Sequence, residues 1–230
     1  MKRSPKTVIR AMPDLATHIH CAQQTSIYLV DIRPLIKRDR DKAQQLLVQQ
    51  MVVRALLCYL LGDDVALAHE ANGRPYLASH PDLSLSISHC PTAVAVALAS
   101  NTTTIGIDIE SKSGKAAKLL KRYASEQEQA RMKEDNTSPI ELWSAKETVY
   151  KLSGGEIKGF GEKIIYQGRE GETILMSSMP EGQIPQLHHV RVVPLPDGDT
   201  VLTFATYPST SDHSPSIHHV DQSLLSIQGI

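Results

Sequence analysis

Hydrophobic spacing changes several times along the chain, and each change predicts a new element. Residues 1–24, with Pro5 and Pro13, carry little periodicity. Ser26 to Ile32, with Ile27, Tyr28, Leu29 and Val30 in succession, is predicted to be a strand. Pro34 suits the first turn of a helix, where its missing N–H costs nothing. From Leu46 to Leu61 apolar residues dominate, which predicts a well-buried helix stopped by Gly62. Arg54 interrupts that run, and a charge on so apolar a helix needs a partner.

Asn72-Gly73-Arg74-Pro75 is a turn by composition. Leu83 to Ile87 alternates cleanly, Ala93 to Ala99 follows a Cys90-Pro91 turn, and Asn101 to Thr104 turns into Gly106-Ile107-Asp108-Ile109-Glu110. Three strands joined by short turns predict one antiparallel sheet. Helical patterns follow over 116–123, 125–133 and 140–152. Ser125 and Glu128 are spaced as a capping box, and Gly154-Gly155 ends the third helix. Strands are expected at 163–166, 173–176, 187–193 and 200–205. The fold class is therefore α+β, with a doubled order of strand, helix and strands. That order divides the chain into an N-terminal half over 1–105, a C-terminal half over 106–208, and a disordered tail over 209–230.

Composition narrows the function classes. With 230 residues the chain has room for a substantial core, and a formal net charge of −1 gives no global field for nucleic acid. Aromatic residues at 4% leave few stacking platforms for single strands. Cys21, Cys58 and Cys90 lack C-x-x-C spacing, so reduced thiols in a cytoplasmic protein are expected rather than disulfides or zinc. The run Ala93–Ala99 is too short to span a bilayer, and no membrane association is expected.

Two segments carry the chemistry. On the strand Gly106 to Glu110, side chains two apart share a face, so Asp108 and Glu110 point one way while Ile107 and Ile109 enter a core. In the helix from Trp143 to Lys151, Glu147 and Lys151 are four apart and again share a face. Taken singly, these are an amphipathic strand and a surface ion pair worth a few tenths of a kcal/mol. Taken together, three carboxylates and a lysine suit a hard divalent cation beside a phosphate-bearing substrate.

The order Asn72 to Pro75, Ser86-Ile87-Ser88-His89, Gly106 to Glu110, Arg122-Tyr123 through Glu128, and Trp143 to Lys151 resembles the 4′-phosphopantetheinyl transferases. More narrowly it is similar to their surfactin-synthetase-activating type, which carries two halves in one chain. The resemblance covers roughly residues 44–165. It implies a pseudo-twofold α+β fold with coenzyme A in the cleft between the halves. It also implies Mg²⁺-dependent transfer of the phosphopantetheine arm of coenzyme A to a serine of an apo acyl, peptidyl or polyketide carrier protein. Adenosine 3′,5′-bisphosphate is then the other product, and a monomer is expected.

On this resemblance Asp108, Glu110 and Glu147 are the metal ligands, with Glu147 acting as ligand, base or both. Lys151 contacts the α-phosphate or steadies the departing oxygen. Arg54, Arg74, Ser88, His89 and Lys151 contact coenzyme A, with His89 directed to the 3′-phosphate. Lys37, Arg38, Arg40 and Lys42 occupy a stretch with further phosphate contacts in the family, or are a solvated charge run. Lys146 is read as structural support and Trp143 as packing. The pairs His188-His189 and His218-His219 are incidental. Lys112, Lys115, Lys118, Lys121 and Arg122 are expected to dock the carrier. Two competing functions remain open: an Mg²⁺-dependent nucleotide pyrophosphate hydrolase, and a non-catalytic relative that only binds coenzyme A.

Overall fold

A computed structural model describes residues 25–36, 41–182, 184–208, 215–225 and 227. Strand β1 (Ser26–Asp31) leads through a 3₁₀ turn at Arg33–Leu35 to α1 (Lys42–Leu61). A short hairpin, β2 (Leu67–His69) and β3 (Pro75–Leu77), precedes β4 (Leu83–His89), β5 (Ala93–Ser100) and β6 (Thr104–Ser111). Helices α2 (Lys115–Tyr123), α3 (Glu126–Glu134), α4 (Pro139–Leu152) and α5 (Phe160–Lys163) follow. Strands β7 (Ile164–Glu170), β8 (Thr173–Ser178), β9 (Gln186–Pro194), β10 (Thr200–Tyr207) and β11 (Ser216–His219) complete the mixed α+β chain.

The strands form two main sheets, ordered β11-β1-β5-β4 and β6-β10-β9-β8-β7. Their alternation explains the layers. In β5, Val94, Val96 and Leu98 pack with Val52, Leu56 and Leu57 of α1, while Ala95, Ala97 and Ala99 face the other sheet. Those alanines meet Ile105, Ile107 and Ile109 of β6 and Leu202 and Phe204 of β10. Small side chains on one face let the two sheets approach closely. The outer face of the second sheet packs on α4 through Leu142, Ala145 and Val149.

Three expectations change here. The strand over Gly106 to Glu110 does not continue the β4–β5 sheet. It pairs antiparallel with β10 and heads the second sheet. Its outward N–H groups at Ile107 and Ile109 are taken by the hydroxyls of Ser86 and Ser88 on β4, both at 3.1 Å, so side chains replace a backbone ladder at the seam. Arg54 is exposed rather than buried, so it needs no buried partner. The tail expected to be disordered over 209–230 contains β11, which pairs in parallel with β1. His218 stacks on Tyr28 at 5.0 Å between ring centroids, and Leu225 is buried in the first core.

Helix α1 is long and apolar enough to cross a membrane by length and composition. Its Val48, Val52, Val53, Leu56, Leu57 and Leu60 are buried against the first sheet, as in the core helix of a globular fold. Side-chain capping fixes the starts of two later helices. Ser125 with Glu128, and Ser138 with Glu141, form complete capping boxes at the starts of α3 and α4.

Candidate active site

Helix α4 lies against β6 at Gly106, and only glycine permits that contact. A Cβ there would fall 2.3 Å from the Thr148 carbonyl oxygen and 2.9 Å from the Leu152 nitrogen. This approach brings Glu147 and Lys151 beside Asp108 and Glu110. The result is a cleft of about 770 Å³ between the two sheets, within the usual size of a ligand pocket. Its second wall comes from the other half: Arg54 on α1, Arg74 in the β2–β3 turn, and Ser88 and His89 at the end of β4. All eight residues expected at the site therefore line one cleft.

Asp108 is the hub. Its Oδ1 accepts from Ser88 Oγ at 2.9 Å and from Lys151 Nζ at 2.8 Å, while Oδ2 accepts from Ser144 Oγ at 2.8 Å. Lys151 Nζ also donates to Ser88 Oγ at 2.9 Å. Lys151 thus bonds Asp108 directly, where the helical spacing alone offered Glu147 as its partner. Glu110 accepts from the Trp143 indole N–H at 3.0 Å, which gives the tryptophan a polar task beside its packing on Tyr123 and Phe160.

The electrostatics follow from this crowding. Burial pushes the Glu147 carboxyl up to about 7, with Asp108 and then Glu110 adding to the rise while Lys151 opposes it. Glu110 is raised by burial and then by Asp108, with the Trp143 hydrogen bond drawing it back. His89 falls below the ordinary imidazole value through its packed surroundings and the adjacent Lys151 charge. The wall built by β6 and α4 therefore carries three carboxylates against the single Lys151.

That excess and the carboxylate donor set suit a hard cation. Among the described residues no three histidine, cysteine, aspartate or glutamate side chains are gathered to hold a metal by themselves. Mg²⁺ is ordinarily held by one or two carboxylates, with phosphate and water completing the octahedron, so Asp108 and Glu110 beside the open cleft fit it chemically.

Lys146 does not reach the cleft. It is fully buried and paired at 2.8 Å with Glu128 of α3, as its supporting role required. Lys42 is exposed in the first turn of α1, and Lys37, Arg38 and Arg40 lie outside the described residues. Residues not foreseen at the site include Tyr150, Asn72 and the glycines 154 and 155. Both glycines have positive φ, and a Cβ at Gly154 would sit 3.6 Å from Arg74 Nη1. Gly154-Gly155 was legible only as a helix stop. Their second use, bringing backbone close to the Arg74 turn at Gly154 and to the Tyr150 ring at Gly155, needs the fold.

Residues 104–204 match the model of the 4′-phosphopantetheinyl transferase superfamily. The chain is also 29% identical over 123 residues to a Bacillus subtilis protein named 4′-phosphopantetheinyl transferase. That alignment covers 50% of this chain and 54% of the relative, so the chain spans about half the length of the curated relative it matches. The family match takes in the Asp108, Glu110, Glu147 and Lys151 wall. Arg54, Arg74, Ser88 and His89 stand outside it.

Proposed function

We propose, from the match of residues 104–204 to the 4′-phosphopantetheinyl transferase superfamily, that the chain is a member which transfers the phosphopantetheine arm of coenzyme A to a serine of an apo carrier protein. The surfactin-synthetase-activating type, a monomer working in the cytoplasm, is part of the proposal. One observation carries it: an acidic wall with one lysine faces a basic wall across a single cleft of about 770 Å³.

In this reading Arg54, Arg74 and His89 receive the 3′-phosphate and adenosine end of coenzyme A. Arginine's planar fork suits that phosphate. The pyrophosphate then lies between Lys151 and the carboxylates. Asp108 and Glu110 would hold Mg²⁺, with Glu147 beside them. Such an ion supplies charge neutralisation on the pyrophosphate oxygens. Lys151, now bound to Asp108, is near enough to exchange that partner for phosphate oxygen.

The carrier serine Oγ forms a bond to the phosphorus that bears the pantetheine arm, and the bond from that phosphorus to the bridging oxygen breaks. Adenosine 3′,5′-bisphosphate departs. The serine proton passes to Glu147, directly or through water. Holding nucleophile and phosphorus in line supplies much of the acceleration, which is why the helix and strand carrying these groups are packed so tightly. Lys112, Lys115, Lys118, Lys121 and Arg122 are exposed, and among the described residues none forms an ion pair. This supports α2 and the residues before it as the docking surface for an acidic carrier.

Intact-mass measurement on several apo carrier proteins, incubated with this protein, coenzyme A and Mg²⁺, tests the proposal. The expected gain is about 340 Da on one serine, lost with Asp108→Ala. Coenzyme A cleaved without labelling would replace this reading with a pyrophosphate hydrolase. Coenzyme A bound but left whole with every carrier would replace it with a binding protein.

A further inference from the structure

Behind Asp108, on the side away from the cleft, runs a file of three buried hydroxyls. Ser144 Oγ lies 2.8 Å from Asp108 Oδ2, Thr203 Oγ1 lies 2.8 Å from Ser144 Oγ, and Thr148 Oγ1 lies 2.7 Å from Thr203 Oγ1. Longer contacts join Ser144 Oγ to the Asp108 carbonyl at 3.4 Å and Thr148 Oγ1 to the Thr203 carbonyl at 3.3 Å. Ser144, Thr148 and Thr203 are each 0% exposed.

The direction of the file follows from its end. An ionised carboxylate only accepts, so Ser144 donates its single proton to Asp108. Ser144 Oγ then accepts from Thr203, and Thr203 Oγ1 accepts from Thr148. Packing does not require this arrangement, since valine has the shape of threonine and alanine nearly that of serine. Buried hydroxyls are costly unless each is paired, and here each is. The two oxygens of Asp108 are held by separate sets of partners. Ser88 and Lys151 hold Oδ1 from the cleft, while the hydroxyl file holds Oδ2 from the core.

We propose that Thr148, Thr203 and Ser144 form a polarised hydroxyl relay that fixes the orientation of the Asp108 carboxylate for phosphoryl transfer. The three are positioning residues: they act through Asp108 and touch no substrate. The proposal rests on the function argued above, but the carboxylate's orientation is measurable without it. Thr203 is the informative member because it lies on β10, outside the helix that carries Glu147 and Lys151.

The experiment compares Thr203→Val with Thr203→Ser in the full chain, by transfer kinetics, thermal melting and crystal structures. For Thr203→Val the expected result is a kcat loss of about ten- to a hundredfold, the usual cost of an outer-shell partner. KM for coenzyme A should stay within about twofold, and Tm should fall by only about 2–4 °C. Thr203→Ser should recover most of kcat. In the Thr203→Val crystal the Asp108 carboxylate should turn away from Ser144.

A variant with wild-type kcat, or a serine variant that rescues nothing, overturns the relay. So does an Asp108 carboxylate that keeps its wild-type orientation in the valine variant. If the wild-type protein labels no carrier, the function fails independently, and the two crystal structures alone decide the relay.

Discussion

Lys146 Nζ and Glu128 Oε1 lie 2.8 Å apart with side-chain exposures of 0% and 4%, so one buried ion pair ties α4 to α3 next to the helix face that carries Glu147. Glu128 also accepts from the backbone N–H of Tyr166 and, through its other oxygen, from that of Ser125. Lys146 donates to the Gly161 carbonyl. Burial lowers the Lys146 ammonium below its ordinary value, and Glu128 opposes that fall. The pair is held because each charged group also has hydrogen-bond partners outside the pair, as a buried pair requires. Lys146→Met leaves Glu128 charged in the core and should cost about 3–5 kcal/mol. Adding Glu128→Gln removes the orphaned charge and keeps one of the two backbone acceptors, and should recover part of that loss. Urea denaturation of the two variants measures both, and a single variant of unchanged stability would remove the pair's structural role.

Gly106 makes a separate claim on the same interface. With a Cβ 2.3 Å from the Thr148 carbonyl, Gly106→Ala forces β6 and α4 apart along backbone that no rotamer change relieves. The expected cost is about 1–3 kcal/mol, as for other overpacked cores. Because Asp108 and Glu147 sit on the two separating elements, activity should fall by more than stability accounts for. Thermal melting and initial rates of transfer, measured at a temperature where the variant is fully folded, check this. A variant with wild-type rates would mean that the close approach is not needed for the site.

How much of this was legible before folding follows from the same residues. Asp108 with Glu110, and Glu147 with Lys151, could each be paired because strand and helix periodicity, which are local, fix their faces, while joining the two pairs into one site rested on the family resemblance. The capping box at Ser125 is local in the same way. Which sheet β6 joins is not local: its edge is completed by the Ser86 and Ser88 hydroxyls, which in sequence are only the polar half of an alternating strand. Strand β11 escaped notice because four residues containing two histidines have no pattern strong enough to predict pairing, and β1 supplies the template. Arg54 was misjudged because an apolar helix with one exposed stripe looks buried all round when the cleft beside it is unknown. The hydroxyl file behind Asp108 joins residues 144, 148 and 203, a contact that no single-sequence periodicity reports.

His188 gives the protein a pH dependence unrelated to the cleft. Its Nε2 lies 2.7 Å from Ser178 Oγ on the neighbouring strand, and burial, with His189 next to it, lowers its imidazole below the ordinary value. The unfolded chain therefore binds a proton at a higher pH than the folded one. Stability from this residue is complete above about pH 6.5, the unfolded histidine value, and is lost as pH falls towards the lower folded value. His89, shifted in the same direction, adds to the slope. Denaturation midpoints between about pH 7.5 and 5 should decline in the wild type and decline less in His188→Gln, which keeps a partner for Ser178. An equal slope in both proteins would assign the dependence elsewhere.

The basic surface of α2 yields the prediction that separates carrier from coenzyme recognition. Lys115, Lys118 and Arg122 recur at spacings of three and four along the helix, so their charges fall on one side, and Lys112 extends them towards β6. All are exposed and stand outside the 770 Å³ cleft, so they reach a macromolecule more readily than a nucleotide. An acidic helix on the carrier would meet this surface with its serine directed to Glu147, and exposed charges of this kind act chiefly on encounter rate. Replacing Lys115, Lys118 and Lys121 with glutamine should raise KM for the carrier about tenfold at low salt, with the difference shrinking as salt rises. KM for coenzyme A should stay where it is, because the wall of Arg54, Arg74 and His89 is untouched. Steady-state kinetics with each substrate varied in turn make the comparison, and an unchanged carrier KM would remove α2 from the docking surface while leaving the chemistry of the cleft as argued.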